Sequence, residues 1–217
     1  MDDNMYRLIY FFGPDGTGKT THADLIAARL RSMGFKVWRT SVKQHHTIAH
    51  LILKLMEKAG YDIRMINYYG FYKELANKMN LIWKFIEIIS FFIAWIYRIY
   101  LPYLLGYIVV CDRYVLDTLV TLSYFLKEPK FITSKFARLL IKLIPKNSLL
   151  FYLEADTRSI VLRKLDEPLT LELIEYYKRM YALLIKIYGI KVNNINTESE
   201  AVQSVHKKIA GLLGISG

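Results

Sequence analysis

Residues 13–20 read GPDGTGKT and fit the pattern G-x-x-x-x-G-K-[ST] at every fixed position. A compact apolar run from Tyr6 to Phe12 precedes this stretch and predicts a buried strand. After it, apolar residues recur at helical spacing as far as Met33, and Gly34 is placed to end that helix. The stretch is therefore predicted to be a loop that joins a buried strand to the start of a helix.

The residue types of this loop suit the phosphates of ATP. Small residues let backbone N–H groups turn inward around phosphate oxygens, and a helix beginning after Gly18 adds the positive end of its dipole. We expect Lys19 to reach the β- and γ-phosphates and the Thr20 hydroxyl to bind Mg²⁺. A glycine-rich turn without a ligand is the alternative, which the complete strand–loop–helix context disfavours. The predicted ATP-binding residues are Gly13, Asp15, Gly16, Thr17, Gly18, Lys19, Thr20 and Thr21.

Outward from the loop, strand and helix signals alternate along the chain. Further strands are predicted at Phe35–Thr40 and Gly106–Cys111, within Pro145–Leu153, and at Gly189–Ile195. Helices are predicted at about Thr47–Lys58, Phe71–Tyr100, Leu116–Leu126, Thr133–Leu143, Thr157–Lys164, Leu169–Ile187 and Ser199–Leu213. Strands this apolar are buried on both faces, which is typical of a parallel sheet covered by helices. We predict one α/β domain over residues 1–217, with a central parallel sheet of about five strands.

The composition narrows the class of partner. Lys and Arg number 30 against 19 Asp and Glu, a formal charge of +11, which favours an anionic partner without choosing among nucleotides, nucleic acid and acidic membranes. We recognise no nucleic-acid-binding module. Cys111 is the single cysteine, so no intrachain disulfide can form and a reducing compartment is favoured. The acidic N-terminus lacks the order of a signal peptide, and we expect a cytoplasmic protein.

The segment from Leu81 to Cys111 is strongly apolar and aromatic. Lys84, Glu87 and Arg98 interrupt it, so it falls short of the roughly 20 apolar residues that a membrane span needs. Pro102 and Gly106 are expected to break the helix after Arg98. We predict a long buried helix shared with a second subunit in a homodimer. A helix that lies on a membrane surface is the alternative.

A second motif, Asp112-Arg113-Tyr114, stands at the carboxyl end of the third predicted strand, where open α/β sheets place ligands. A carboxylate there can hold the water shell of Mg²⁺ or orient a phosphoryl acceptor. A neighbouring arginine can bind a phosphate through two hydrogen bonds. An ion pair that merely closes the strand end is the alternative.

The sequence GPDGTGKTT followed by VVCDRY resembles the thymidylate kinase family of nucleoside monophosphate kinases, and the resemblance covers nearly the whole chain. It implies a P-loop kinase fold and transfer of the ATP γ-phosphoryl group to a nucleoside monophosphate, with dTMP as the expected acceptor. Asp15 matches a residue that contacts the acceptor sugar, and Arg113 one that binds the acceptor phosphate. Asp112 matches a residue that serves the metal and the transfer.

The same resemblance implies a lid at about residues 156–170. Arg163 and Lys164 then lie where lid cations meet the transferring phosphoryl group, although a solvated helix face is the alternative reading of this pair. The predicted catalytic residues are Lys19, Asp112 and Arg163. The predicted substrate contacts are Asp15, Arg39, Arg113 and Tyr114, and the predicted metal ligands are Thr20 and Asp112.

Departures from the family pattern concentrate around the acceptor. Of the family's R-E-P-G-G sequence after the second strand only Arg39 is matched, and Phe91-Phe92 stand where the family has an arginine. Asp117 replaces a frequent serine and is predicted to hold the Arg113 guanidinium. His45-His46 are read either as acceptor contacts or as solvated residues. Two alternatives stay open: a related kinase with another acceptor, such as a nucleoside or a sugar, and a membrane-docked nucleotide-binding protein without transferase activity.

Overall fold

The computed structural model describes residues 6–42, 51–52, 54–55, 58–60, 80–163, 170–198 and 201–215. Within them, five strands form one sheet in the order β2-β3-β1-β4-β5, and every neighbouring pair is parallel. This confirms the predicted fold class. The strands are β1 Leu8–Phe12, β2 Val37–Thr40, β3 Ile108–Asp112, β4 Ser148–Glu154 and β5 Asn193–Asn196.

Helices cover both faces of this sheet, as its apolar strands require. The helices are α1 Lys19–Ser32, α2 Asn80–Trp95, α3 Leu101–Leu104, α4 Val115–Phe125, α5 Lys135–Ile141, α6 Thr157–Arg163, α7 Leu171–Tyr188 and α8 Val202–Leu212. A π-helical turn, Ile96–Tyr100, joins α2 to α3, and a 3₁₀ turn, Pro129–Thr133, precedes α5.

The central strand β1 shows why the sheet has two cores. All five of its residues are buried, and they alternate between the two faces as strand geometry requires. Tyr10 and Phe12 belong to the core formed with α2, α4 and α7, whereas Ile9 and Phe11 belong to the core formed with α1 and α8. Because the strands are parallel, the ends of β1 and β3 meet at one edge, where Phe11 is paired with Asp112.

The apolar segment after residue 80 differs in part from its prediction. The helix does not break at Pro102, which occupies the first turn of α3, where its missing N–H is not needed. The chain stays helical to Leu104 and ends before Gly106, which has a positive φ of 84°. In the part of the chain that the structure describes, no helix has the combination of length and apolarity needed to cross a bilayer.

Two other elements begin at residues different from those predicted from the sequence. The last strand begins at Asn193 rather than Gly189, because Gly189 ends α7 in the left-handed conformation. Helix α5 begins after Ser134, whose hydroxyl accepts the Ala137 N–H, and not at Thr133. Residues 71–79, most of the helix predicted at Thr47–Lys58, and His45-His46 lie outside the described residues.

Candidate active site

The phosphate-binding loop predicted from the sequence lies between β1 and α1, at the carboxyl edge of the sheet. Gly13, Gly16 and Gly18 all have positive φ, at 141°, 85° and 84°. A Cβ on Gly13 would lie 2.1 Å from the carbonyl oxygen of Leu153 in β4. Glycine is therefore required at this position, because the loop backbone passes directly against the neighbouring strand.

The Lys19 side chain curls back into the loop. Its Nζ donates to the carbonyl oxygens of Gly13 and Pro14, both at 2.7 Å, and to Asp15 Oδ1 at 3.1 Å. Burial lowers the pKa of Lys19, while the adjacent Asp15 carboxylate works in the opposite direction. The ammonium thus lies inside the loop that is predicted to enclose the ATP phosphates. Thr21 is exposed on the first turn of α1.

Two oxygen groups meet beside the loop. Thr20 Oγ1 donates to Asp112 Oδ2 at 2.5 Å, although 92 positions separate the two residues. A hydroxyl and a carboxylate are hard oxygen ligands of the kind that Mg²⁺ prefers. The described residues contain no group of three or more His, Cys, Asp or Glu side chains that could hold a metal by itself. The donor set fits Mg²⁺ shared with substrate phosphates, which is how this ion is commonly bound.

Arg113 occupies a strained position next to Asp112. Its φ is +74°, in the left-handed region that non-glycine residues rarely adopt. Its Nη2 donates to Asp15, and its Nε is buried with no hydrogen-bond partner among the described residues. Burial opposes the charge, but Asp15 and then Asp117 outweigh it and raise the pKa of Arg113. The guanidinium is a fixed cation with a donor available for a ligand oxygen.

Arg39 lies at the end of β2, on the other side of Asp112. Its Nη1 donates to Asp112 Oδ1 at 2.5 Å and its Nε to Asp24 Oδ1 at 2.7 Å. Burial opposes the charge, but the hydrogen bond to Asp112 contributes most to a net rise in the pKa of Arg39. The structure thus places Arg39 against the predicted metal ligand.

Arg163 reaches over the phosphate loop from α6. Its Nη1 lies 3.4 Å from the Gly16 carbonyl oxygen, and its Nη2 donates to the Thr197 carbonyl oxygen at 3.1 Å. The contact with Gly16 joins residues 147 positions apart, while Arg163 itself is exposed to solvent. Lys164 and residues 165–169 of the expected lid lie outside the described residues.

Tyr114 occupies a different place from the one that the sequence suggested. It is fully buried, and its hydroxyl donates to the Leu143 carbonyl oxygen at 3.0 Å. Its ring packs edge-on against Tyr10 and is stacked with Phe91. Tyr114 is a core residue, and we withdraw it from the expected substrate contacts.

Asp117 was predicted to hold the Arg113 guanidinium, but its carboxylate bonds other groups. Its carboxylate accepts the hydroxyls of Tyr10 at 2.5 Å and Tyr181 at 2.8 Å, and the Tyr114 N–H at 3.1 Å. Tyr10 and Tyr181 were not predicted at the site. Tyr10 had the appearance of an ordinary residue of an apolar strand, and no sequence signal linked Tyr181 to the loop.

Two further residues that the sequence did not reveal lie behind Asp112. Ser41 Oγ donates to the Asp112 carbonyl oxygen at 2.7 Å, and Arg98 Nη1 donates to the Ser41 carbonyl oxygen at 2.5 Å. Arg98 belongs to the π-helical turn after α2. The end of β3 is therefore fixed from the side of the apolar helix.

Comparisons with known proteins agree with this architecture. The family model described as thymidylate kinase matches residues 11–209. A crystal structure of thymidylate kinase from Ehrlichia chaffeensis superposes with a TM-score of 0.58 at 20% sequence identity, covering 95% of this chain and 97% of that one. At this identity the superposition supports a shared fold. No curated protein matches the sequence significantly.

Proposed function

The chain belongs to the thymidylate kinase family, and we propose that it transfers the γ-phosphoryl group of ATP to the phosphate of dTMP. The products are ADP and dTDP. The observation that carries this proposal is the position of Asp15, whose Oδ1 accepts both from Lys19 Nζ and from Arg113 Nη2. Two cations that converge on one carboxylate can bring a donor and an acceptor phosphate side by side, as phosphoryl transfer requires.

On the donor side, Lys19 and the loop amides bind the ATP phosphates. In the structure the ammonium is held by two carbonyl oxygens and Asp15, which are weaker partners for it than a triphosphate. Its exchange onto the β- and γ-phosphate oxygens requires only a local movement. Lys19 then stabilises the charge that develops on the transferring group.

Thr20 and Asp112 would hold Mg²⁺ in this proposal. The ion would supply positive charge that offsets the negative charge of the transferring phosphoryl group. Asp112 is pre-positioned for this role, since Thr20 and Arg39 each occupy one of its two carboxylate oxygens. Arg39 bonds Asp112 at the end of β3 and is the second residue that we propose to bind the acceptor phosphate.

On the acceptor side, Arg113 binds the dTMP phosphate. Its unpartnered Nε and its Nη2 offer two parallel donors once Asp15 gives up its contact. Asp15 can then also accept a hydrogen bond from the acceptor's sugar, as the family resemblance implies.

Arg163 closes the site from α6. Its contacts with the Gly16 and Thr197 carbonyl oxygens support this role, because Gly16 belongs to the proposed phosphate-binding loop. We propose that it adds positive charge to the transferring group and helps to exclude water, which would otherwise hydrolyse ATP.

We also propose a homodimer formed through α2 and the turn that follows it. Phe85, Ile89, Ile93, Ile96 and Tyr97 are each 38–50% exposed along one stretch of helix, whereas Ile88 and Phe91 are buried beneath them. A monomer would leave this apolar face in water, which favours association with a second copy. The family resemblance supports the same arrangement and a cytoplasmic location.

An ADP-release screen tests the proposed reaction. The purified protein with Mg²⁺ and ATP is offered a panel of nucleoside monophosphates, nucleosides and sugars, and dTMP is expected to give the highest kcat/KM. Lys19→Ala, prepared in the same way, controls for contaminating kinases. A best acceptor without a phosphate would replace dTMP with the related-kinase alternative, because Arg113 would then have no acceptor phosphate to bind.

A further inference from the structure

Asp117 is a buried carboxylate close to the phosphate loop that takes no part in the steps above. It is the third residue of α4, the helix that begins two residues after Arg113. Only 8% of it is exposed, so its charge is costly unless other groups compensate for it. Burial raises the pKa of Asp117, while the charges of Lys19 and Arg113 and the hydroxyls of Tyr10 and Tyr181 act to lower it.

Three donors from three elements converge on this carboxylate. The Tyr114 N–H closes the first turn of α4, which is the ordinary use of an acidic residue at this position. The Tyr10 hydroxyl reaches it from β1, the strand that leads into the loop. The Tyr181 hydroxyl reaches it from α7, the helix that follows the expected lid. A residue that only capped α4 would not need the two phenols.

Tyr181 also connects Asp117 to the loop. Its oxygen lies 2.8 Å from Asp117 Oδ1 and 3.3 Å from the Gly13 carbonyl oxygen. A phenol has one proton, and the shorter contact with the carboxylate takes it. The same Gly13 carbonyl oxygen accepts from Lys19 Nζ at 2.7 Å. Tyr181 therefore packs against the backbone position that fixes the loop lysine.

Tyr10 connects Asp117 and the start of α4 to the strand β1. Its hydroxyl donates to Asp117 Oδ2 and lies 3.1 Å and 3.3 Å from the backbone nitrogens of Leu116 and Asp117, whose N–H groups it accepts. The start of α4, and with it the turn that holds Arg113, is thus fixed to β1.

We propose that Asp117 is a positioning residue for phosphoryl transfer. Through Tyr10 and Tyr181 it fixes the position of the phosphate loop relative to the turn that carries Arg113. The inference rests on the proposed function. When phosphates bind, Lys19 and Arg113 exchange Asp15 for phosphate oxygens, whereas Asp117 keeps its three donors. Displacement of reacting groups by about 1 Å costs roughly 100-fold in rate, so even partial loosening of this arrangement lowers kcat.

Tyr181→Phe tests the proposal with little disturbance of packing, because it removes one hydroxyl and keeps the ring. Tyr188→Phe is the matched control, since it removes a hydroxyl that donates at 2.8 Å to the Ile132 carbonyl oxygen from the same helix. With enzyme concentrations set by titration of ATP sites, we expect Tyr181→Phe to lower kcat about 10-fold. We expect Tyr188→Phe to stay within about 2-fold of the parent.

A double-mutant cycle separates positioning from a general loss of structure. If Tyr181 acts through Asp117, the double variant Tyr181→Phe with Asp117→Asn has the same kcat as the less active of the two single variants. Independent effects would instead multiply the two fold-losses in kcat. If Tyr181→Phe does not fold, Tyr10→Phe takes its place in the cycle, since its hydroxyl bonds the other carboxylate oxygen.

The outcomes distinguish this inference from the proposed function. Multiplicative losses in the cycle, or equal kcat for Tyr181→Phe and Tyr188→Phe, would overturn the role of Asp117 and leave the dTMP reaction intact. A parent enzyme that is inactive on dTMP would overturn the proposed function, and the inference with it.

Discussion

The proposed donor and acceptor sides of this site are built in different ways. On the donor side, one continuous loop supplies the backbone groups, and Lys19 folds back onto the carbonyl oxygens of that same loop. On the proposed acceptor side, Arg39 and Arg113 come from the ends of two strands. Asp24 and Asp112 hold Arg39, and Asp15 of the loop holds Arg113. A site assembled from separate side chains can change its ligand while the ATP loop is preserved. The departures from the family pattern fall on the proposed acceptor side, in agreement with this difference.

The largest expected effect falls on the donor side. Lys19→Ala should lower kcat about 100-fold or more, because it removes a preorganised charge from the transferring phosphoryl group. Coupled ADP release measures the change, and circular dichroism verifies the fold. Lys36→Ala, at an exposed lysine, is the control and should leave kcat unchanged. Near-normal turnover by Lys19→Ala would contradict the assignment of the loop.

Gly13→Ala tests whether the donor side depends on its backbone. The added Cβ would meet the Leu153 carbonyl oxygen at 2.1 Å, so the loop or β4 must move. We expect a loss of about 3 kcal/mol in the free energy of unfolding, measured in urea. Gly34 also has a positive φ, 87° against 141° for Gly13, but open space around it, so Gly34→Ala should lose only about 1 kcal/mol. Equal losses would show that the contact with β4 is unimportant.

Arg113→Lys is the corresponding test of the acceptor side. A lysine keeps the charge but cannot make paired hydrogen bonds, so the KM for dTMP should rise about 10-fold. The KM for ATP should stay nearly constant, because the donor loop is untouched. Initial rates at varied concentrations of each substrate measure both values. A rise in the KM for ATP alone would place Arg113 on the donor side and remove the distinction between the two halves.

The smallest effect on catalysis is expected for a substitution on α2, away from the donor and acceptor sides. Ile89→Glu on the exposed face of α2 should convert the proposed dimer to a monomer and leave kcat within about 2-fold. Leu212→Glu, at a residue of similar exposure on α8, lies on the other face of the sheet and is the control. Analytical ultracentrifugation at micromolar concentration measures the change. A parent protein that is already a monomer would contradict the dimer.

Much of the fold could be predicted because its signals are local. The loop pattern and the apolar runs predict the five strands, and Gly34 ends α1 as expected, with a φ of 87°. The end of α7 was harder to place, because Gly189 stops the helix and several residues follow it before β5 begins.

The contacts of Asp117 with Tyr10 and Tyr181, and those of the proposed acceptor side, could not be predicted from the sequence. Tyr10 and Asp117 are 107 positions apart, and Tyr181 and Asp117 are 64 apart, so no local pattern joins them. Alternation along β1 indicates only that Tyr10 faces a core. Arg98 lies within the helix predicted at Phe71–Tyr100, but its contact with Ser41 joins residues 57 positions apart, and no local pattern predicts it.

The most direct test of the account is to follow phosphorus through the reaction. The protein is mixed with ATP, dTMP and Mg²⁺, and ³¹P nuclear magnetic resonance is recorded over time. We predict that signals of ADP and dTDP grow in equal amounts while those of ATP and dTMP decline together. Growth of ADP with inorganic phosphate, and an unchanged dTMP signal, would contradict transfer to dTMP and reduce the activity to ATP hydrolysis.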